Sequence, residues 1–194
     1  MDAGTFYRWL FSFLFFTMWG GFFTLWRVMA LRAKAAAEAE SRAQRLSHLI
    51  PMLLVAFLLI APLPGLLAQR FVPLALWPAT LGAGLTAAGI AFTCWARLTL
   101  AGNWSGDIQL KQNHELILAG PYRWVRHPIY TGLLVAFIGT ALAIGEARAL
   151  VAVAIAAAAF WRKLRREEAV MRREFGDAYD RYAARVPALV PFLV

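Results

Sequence analysis

The chain contains one cysteine and three histidines among its 194 residues. Cys94 cannot form an intrachain disulfide or build a cysteine-based metal cluster, and inside an apolar run it is expected to be a small packing residue. The histidines have neither cysteines nor an acidic cluster beside them, which predicts that no metal is bound. The sequence therefore offers no disulfide framework and no metal site.

Charged residues are also scarce, at 16% of the sequence, against about 25% in soluble domains. Hydrophobic residues make up 61%, and the mean hydropathy is +0.58. The excess lies in long uncharged runs, which predict an all-α integral membrane protein: a helical bundle with about five transmembrane helices and a cytoplasmic C-terminal cap. Five apolar segments can be marked, at residues 9–26, 50–69, 71–96, 129–145 and 149–161.

The length of each segment decides how it is interpreted. The first has 18 residues, more than a signal-peptide core of about 7–15, and its positive charges follow it, so a retained spanning helix is expected. The second and third are also long enough to cross. The fifth has 13 residues, fewer than the ~20 that a crossing needs. We expect it to form a helical hairpin with the fourth through a tight turn at 145–148, with Arg148 and Arg162 snorkelling at its ends. A re-entrant hairpin that never crosses is the alternative.

A net charge of +9 could indicate nucleic-acid binding, but the basic residues flank the apolar runs, as expected for contact with lipid headgroups. Nucleic acid is therefore not an expected partner. If all five segments cross, 17 of the 20 Lys and Arg residues lie on one side, and Arg8, Arg70 and Arg148 lie on the other. This asymmetry predicts an N-terminus outside and a C-terminus in the cytoplasm. Abundant Ala and Arg favour a bacterial inner membrane.

Two polar stretches are predicted to be helical as well. Residues 32–45 should extend the first helix into water, and residues 162–175 should continue the fifth apolar segment. Gly176 should end that helix, and Asp177 should cap a short helix through Tyr182.

The segment 120–132 (GPYRWVRHPIYTG) places two arginines, a histidine, two tyrosines and a tryptophan at the mouth of the fourth apolar run. Pro128 is expected to be the first residue of that helix, because its missing N–H costs nothing there. The free N–H groups and partial positive charge of a helix start suit an anionic ligand group, and Arg123 and Arg126 add to that field. The sequence thus predicts a polar, cationic pocket that suits an enzyme taking one substrate from water and another from lipid.

Five short motifs follow one another along the chain: HELI at 114–117, GPY at 120–122, RHPIY at 126–130, EE at 167–168 and FGDAY at 175–179. In this order and spacing, they resemble the isoprenylcysteine carboxyl methyltransferase family, to which phospholipid N-methyltransferases and thiol S-methyltransferases are related. The resemblance covers about half of the chain, from Asn103 onward. The helices before it match only in being hydrophobic.

The resemblance implies S-adenosylmethionine as the methyl donor, bound at the cytoplasmic face. The family's cofactor-contacting positions correspond to His114, Glu115, Leu116, Ile117, Tyr122, His127, Pro128, Ile129, Tyr130 and Glu167. The family has a substrate-associated arginine four residues before that glutamate. This chain has Lys163 there, with Arg162 beside it, and these two are the predicted catalytic residues. Lysine keeps the charge but lacks the two-pronged geometry for a carboxylate.

We expect a single membrane methyltransferase domain over residues 1–194. Residues 1–101 would supply the N-terminal spanning helices, and residues 102–194 would supply the cofactor-binding and catalytic core. No internal repeat or low-complexity linker interrupts the chain.

The chemistry of the methyl donor fits the same residues. The start of the fourth helix, with Arg126, suits its carboxylate. Glu167 can accept a hydrogen bond from its ammonium or ribose. Tyr122, Trp124 and Tyr130 offer aromatic faces to the adenine or the sulfonium. A carboxylate or thiolate acceptor needs no general base, whereas an amine must first lose its proton, so no base is assigned.

Structural explanations stay open for several of these residues. His114 could be a solvated loop histidine, and the tyrosines could belong to an interfacial belt. Glu167 and Glu168 could be surface charges paired with nearby arginines. Arg123 is expected to face lipid, and His48 is expected to mark the membrane edge.

The expected function is methyl transfer from S-adenosylmethionine to a lipophilic acceptor that enters from the bilayer between helices, such as an isoprenylcysteine carboxylate. A phospholipid amine or a small thiol is an alternative acceptor. Two alternatives belong to other classes: a sterol-type membrane reductase that binds NADPH, and a non-catalytic membrane protein. The sequence leaves the acceptor and the oligomeric state open.

Overall fold

The computed structural model describes residues 3–31, 42–100 and 116–191. These ranges hold the helices α1 (Ala3–Leu31), α2 (Arg42–Ile60), α3 (Leu76–Leu100), α4 (Pro128–Ile144), α5 (Ala147–Phe175) and α6 (Asp177–Ala183), with short 3₁₀ turns at Gly65–Ala68 and Gly120–Arg123. The described residues form no strand, although an isolated bridge joins Arg70 to Glu146. The predicted all-α class is confirmed for this part of the chain.

Two of the described helices are long and apolar enough to cross a membrane. They are Trp9–Leu31, within α1, and Leu76–Leu100, which is α3. Shorter apolar helices are Arg45–Ile60, within α2, and Pro128–Ile144, which is α4. The start of α4 at Pro128 is as predicted, because a proline at the first helical position leaves no hydrogen bond unmade.

The second apolar segment is helical only in its first half. α2 passes through Pro51 and ends at Ile60, so the predicted span over 50–69 is wrong in extent. Pro62 and Pro64 follow the end of α2, and each lacks an N–H and restrains the residue before it. Residues 65–68 form a 3₁₀ turn instead of continuing the helix.

The predicted polar extension of α1 falls largely outside the described residues, which omit 32–41. Arg42 and Arg45 are described, and they belong to the start of α2 rather than to α1. That part of the prediction is wrong, because these residues form the polar beginning of a helix that then turns apolar.

Small residues bring α3 and α4 into backbone contact. A Cβ added at Gly89 would lie 2.5 Å from both Ala136 N and Gly132 O. Thr86 Oγ1 donates to the Ala136 carbonyl over 3.2 Å, and it lies 3.2 Å from Thr140 Oγ1. Close backbone approach and hydrogen bonds between helices provide the packing that hydrophobic burial cannot supply in lipid. α3 therefore holds α4, whose first residues carry the RHPIY motif.

α4 and α5 form the predicted hairpin. Gly145, with φ of 70°, ends α4, and its N–H donates to the Ala141 carbonyl over 2.8 Å. Arg148 does not snorkel as predicted. It is buried and donates to Glu146 over 2.6 Å and to the Leu58 carbonyl over 2.7 Å. A buried guanidinium needs such partners, and the turn and α2 supply them.

α5 continues without a break from its apolar part into its polar part, as predicted, and ends at Phe175. Gly176 follows with φ of 48°, which reverses the chain. The short helix α6 is present, but the prediction that Asp177 caps it is wrong. Gly176 occupies the cap position without a side-chain hydrogen bond, and Asp177 is already helical.

The core lies where α4 packs against α2 and α5. Its buried apolar cluster consists of Val55, Leu58, Tyr130, Ala152, Ala156, Phe160 and Leu164. α1 joins α4 through Trp19, whose Nε1 donates to Thr140 over 3.1 Å and whose ring stacks 5.0 Å from that of Phe137. This packing brings the start of α4 and the polar half of α5 to one end of the bundle.

Candidate active site

A cavity of about 1500 Å³ lies between α1, α2, α4 and α5. One end is lined by polar and aromatic side chains from several elements: His48, Tyr122, His127, Tyr130, Lys163, Glu167 and Tyr179. From there the wall follows α4 through Leu133 and Phe137, and α1 completes it with Trp19 and Trp26. A single cavity therefore joins charged surroundings to apolar ones.

His127 stands between two consecutive glutamates of α5. Its Nδ1 lies 3.5 Å from Glu167 Oε2, and its Nε2 lies 3.2 Å from Glu168 Oε1. The Tyr130 hydroxyl donates to Glu167 Oε1 over 2.5 Å, while its ring stacks 5.0 Å from that of Phe160. His127 and Tyr130 are three residues apart at the start of α4, which places them on one face of the helix. The RHPIY and EE motifs thus meet in one cluster.

The charges in this cluster depend on one another. Burial alone would lower the pKa of His127, but its hydrogen bonds with Glu167 and Glu168 outweigh that effect and raise it. Burial alone would raise the pKa of Glu168, but hydrogen bonds with His127 and Arg126 bring it to about 2. The pKa of Glu167 is also lowered, because His127, Lys163 and Tyr130 outweigh the effect of burial. Both glutamates are therefore anionic at neutral pH.

Arg126 is held by contacts within the chain. Its Nε and Nη2 donate to Glu168 Oε1 over 2.9 and 2.7 Å. Its Nη1 donates to the carbonyls of Ala183 and Val186 over 2.9 and 2.5 Å. Arg126 lines the cavity, but these contacts do not agree with the expectation that its guanidinium receives an anionic ligand group.

Residues 187–189 cover the start of α4. Their carbonyl oxygens accept in turn from Arg126 N over 2.8 Å, His127 N over 3.0 Å and Thr131 Oγ1 over 2.7 Å. The amides of Arg126 and His127, just before the first helical residue, are therefore paired within the chain, and the expectation that free amides at the start of α4 receive an anion stays a prediction. These two amides donate instead to a segment about sixty residues farther along the chain, which no local sequence pattern reveals.

Tyr122 reaches the cavity from the 3₁₀ turn at Gly120–Arg123. Gly120 permits this turn, because its φ is 58°. The Tyr182 hydroxyl donates to the Tyr122 carbonyl over 2.6 Å and so ties α6 to the turn. Burial raises the pKa of Tyr122, and the nearby Glu167 carboxylate raises it further. The Tyr122 hydroxyl is therefore neutral, as a hydrogen-bond donor in the cavity should be.

The structure separates the two predicted catalytic residues. Lys163 lines the cavity, one helical turn before Glu167 on α5. Arg162 is exposed and donates to the Ser47 carbonyl of α2. Of these two residues, only Lys163 therefore brings its charge to the cavity.

The remaining predicted residues fall into three groups. Leu116, Ile117, Pro128 and Ile129 line the cavity. His114 and Glu115 lie outside the described residues. Arg123 and Trp124 are exposed and do not line the cavity, and the Arg123 guanidinium lies 4.9 Å from the Trp124 ring centroid. The Trp124 ring forms a T-shaped pair with that of Trp95, with centroids 5.4 Å apart, outside the lining of the cavity.

His48 is a cavity residue that the sequence assigned only to the membrane edge. Its spacing could have predicted this position. Met52, Val55 and Leu59 follow His48 at helical intervals, and they line the same cavity. His48 thus begins the cavity-facing side of α2.

Similar proteins agree with the motif-based resemblance. A family model for phospholipid methyltransferase matches residues 77–178. Protein-S-isoprenylcysteine O-methyltransferase B of Arabidopsis thaliana is 33% identical over 87 residues, which cover 44% of this chain and 44% of that protein. Protein-S-isoprenylcysteine O-methyltransferase of Xenopus laevis is 29% identical over 120 residues, or 60% of this chain and 42% of its own length. The chain thus matches less than half the length of these relatives.

A solved structure of the eukaryotic intramembrane Ras methyltransferase ICMT is similar over 92% of this chain and 68% of that one. The TM-score is 0.56 and the identity is 20%, which shows a shared fold. The shared fold with this intramembrane enzyme, together with two helices long and apolar enough to span a membrane, confirms the prediction of an integral membrane protein. The resemblance to the isoprenylcysteine carboxyl methyltransferase family is confirmed as well.

Proposed function

The chain belongs to the phospholipid methyltransferase family, and we propose that it is a membrane methyltransferase that uses S-adenosylmethionine. Its acceptor is a lipophilic molecule that carries an anionic group, of which an isoprenylcysteine carboxylate is the leading candidate. The similarity to proteins named protein-S-isoprenylcysteine O-methyltransferases supports this choice. The observation that carries the proposal is the single cavity that joins His127, Tyr130 and Glu167 to a long apolar wall.

The polar end of the cavity fits the methyl donor. Glu167 is anionic, lines the cavity and suits an ammonium or a ribose hydroxyl. The rings of Tyr122 and Tyr130 suit a sulfonium cation or an adenine. Leu116, Ile117, Pro128 and Ile129 supply apolar contacts, and His114 and Glu115 complete the proposed set. When bound, S-adenosylmethionine supplies an activated methyl group.

The other residues of the site hold its side chains in position. His127 and Tyr130 fix the Glu167 carboxylate from two sides. Arg126 acts through Glu168 and through the segment at 183–189 rather than on the donor itself. Because methyl transfer needs the acceptor atom aligned with the methyl group, rigid placement of these side chains supplies much of the acceleration.

Lys163 favours an anionic acceptor. Lys163 lines the cavity close enough to Glu167 to lower the pKa of that carboxyl. Its positive charge would attract a carboxylate and disfavour the protonated form of an amine. A carboxylate also needs no general base. A phospholipid amine is the second candidate, because the family is described as phospholipid methyltransferase; it would have to lose a proton first.

The acceptor reaches this site from the bilayer, through a side entrance between helices. We place the N-terminus outside and the C-terminus in the cytoplasm of a bacterial inner membrane, because 17 of the 20 Lys and Arg residues then lie inside. Five crossings, one domain over residues 1–194 and a cytoplasmic C-terminal cap belong to the same proposal.

The test is binding followed by transfer, with detergent-purified protein. Calorimetry should detect the binding of S-adenosylmethionine to the protein, whereas NADPH should give no heat of binding. Methyl-labelled donor should then label N-acetyl-S-farnesylcysteine, but not phosphatidylethanolamine or an alkyl thiol. Labelling of phosphatidylethanolamine alone would move the assignment to the second candidate. Folded protein that binds NADPH but not S-adenosylmethionine would refute a methyltransferase.

A further inference from the structure

We propose that His48 and Lys163 form a subsite for the carboxylate of the methyl acceptor, with His48 orienting that group by a neutral hydrogen bond. The inference rests on the proposed function and adds to it a residue that lies on α2, outside the RHPIY and EE motifs. His48 and Lys163 both line the polar end of the cavity. They reach it from different helices, α2 and α5.

The backbone at Ser47 is fixed so that the next side chain faces inward. Arg162, on the outer side of α5, donates to the Ser47 carbonyl, and Arg166 Nη1 lies 3.5 Å from Ser47 Oγ. Successive residues of a helix point in directions about 100° apart. With Ser47 held against α5, His48 projects into the cavity and Leu49 is exposed.

His48 has an unused polar atom in this position. Its Nδ1 is buried and has no hydrogen-bond partner among the residues that the structure describes. Buried polar atoms are nearly always paired, and one that is not calls for an explanation, such as a functional role or a missing partner. The carboxylate of the methyl acceptor, at the polar end of the cavity, would provide that hydrogen-bond partner.

The surroundings keep the imidazole neutral. Burial lowers the pKa of His48, Lys163 lowers it further, and Arg162 does the same while Glu167 opposes them, with a result of about 4. At neutral pH the ring therefore carries one N–H and no charge. Lys163 supplies the attraction for an anion, and His48 supplies direction. Methylation would remove the charge that Lys163 attracts, which favours release of the ester.

The subsite adjoins the proposed donor site. The His48 ring lies 6.3 Å from that of Phe160, and Phe160 stacks on Tyr130 at 5.0 Å. The Tyr130 hydroxyl in turn binds Glu167 over 2.5 Å. The proposed acceptor subsite and the proposed donor site therefore both border the ring of Phe160.

Three variants test the proposal. H48L removes the hydrogen bond, H48N keeps an N–H donor near the position of Nδ1, and L49A changes the exposed neighbour as a control. At saturating S-adenosylmethionine, H48L should raise the KM for N-acetyl-S-farnesylcysteine about tenfold, as expected for loss of one hydrogen bond to a charged group. H48N should restore most of that loss, and L49A should match wild type. Calorimetry should give the same Kd for S-adenosylmethionine in all four proteins.

A binding measurement without the donor separates this proposal from the function on which it rests. N-acetyl-S-farnesylcysteine should bind H48L more weakly than wild type, whereas N-acetyl-S-farnesylcysteamine, which lacks the carboxylate, should bind both equally. This outcome would uphold the subsite even if wild type transferred no methyl group to the probe. Equal binding of the carboxylate to wild type and H48L would overturn it. So would a parallel loss of S-adenosylmethionine binding in H48L, or a failure of H48N to restore binding of the carboxylate.

Discussion

Arg126 donates from Nε and from Nη2 to the same oxygen of Glu168, over 2.9 and 2.7 Å. This pair joins the segment just before α4 to the polar half of α5. Little of either side chain is exposed, 12% for Arg126 and 10% for Glu168. The remaining guanidinium nitrogen donates to the Ala183 and Val186 carbonyls. One side chain therefore connects α4, α5 and the segment after α6.

Replacing Arg126 with Ala should destabilise the protein strongly. It leaves the buried Glu168 carboxylate without its main partner, and removing one member of a buried pair costs about 3–5 kcal/mol. Thermal unfolding in detergent should show a clearly lower Tm for R126A and a smaller loss for R126K. R165A, on the exposed side of α5, should melt like wild type. An R126A variant with unchanged Tm would contradict a stabilising role of the Arg126–Glu168 pair.

The hydrogen bonds of Glu168 with His127 and Arg126 also predict how the stability of the protein depends on pH. The pKa of Glu168 falls from 4.5 to about 2 in the folded protein, so its contribution is complete above pH 4.5 and is lost as the pH falls toward 2. At ~1.4 kcal/mol per pKa unit, this amounts to about 3 kcal/mol. E168Q should be less stable than wild type at neutral pH, and the difference should shrink between pH 4.5 and 2. A difference that stays constant over this range would argue against an anionic Glu168 as its source.

The packing of α3 on α4 predicts opposite outcomes for two glycines of the same helix. A Cβ at Gly89 would lie 2.5 Å from backbone atoms of α4, whereas a Cβ at Gly84 would meet nothing within 4 Å. G89A should therefore force the helices apart at a cost of about 1–3 kcal/mol. G84A should be neutral or slightly stabilising, because alanine favours helix by about 1 kcal/mol. Tm measurements that rank the two variants equally would refute direct backbone contact at Gly89.

Local patterns predicted the elements that local chemistry determines. Pro128 begins α4, Gly145 ends it, and Gly176 ends α5. Each signal acts within a few residues, so the sequence alone reveals it. The motifs also predicted that the polar side chains would meet, because the start of α4 and the end of α5 return to one end of the bundle.

Contacts between distant segments could not be predicted in the same way. The charge of Arg126 is visible in the sequence, but its partners lie on α5 and in the segment that covers the start of α4. Nothing near Arg148 indicates that the Leu58 carbonyl, on α2, will receive its guanidinium. In each case the sequence gives the charge, and the fold decides whether a ligand, lipid or the chain itself receives it.

Removing the hydroxyl of Tyr182, which itself lines the cavity, should disturb the donor site through its contact with Tyr122. This hydroxyl donates to the buried Tyr122 carbonyl over 2.6 Å, and leaving a buried acceptor unsatisfied costs about 1–3 kcal/mol. Since Tyr122 lines the cavity, Y182F should weaken S-adenosylmethionine binding several-fold, which calorimetry can measure. R181A, exposed on the same short helix, serves as the control. Unchanged binding in Y182F would mean that the turn at Gly120–Arg123 keeps its position without α6.

Glu167 provides the most direct test of the donor site. Its carboxylate accepts from Tyr130 over 2.5 Å and lies 3.5 Å from His127, so glutamine can keep its shape while losing its charge. E167Q should raise the Kd for S-adenosylmethionine about tenfold, the loss expected when a charge-assisted hydrogen bond becomes a neutral one. E174Q, exposed near the end of α5, should bind as wild type does. If E167Q binds the donor with unchanged affinity and remains folded by its Tm, the donor's ammonium or ribose does not lie against Glu167. The donor would then have to be placed elsewhere along the cavity.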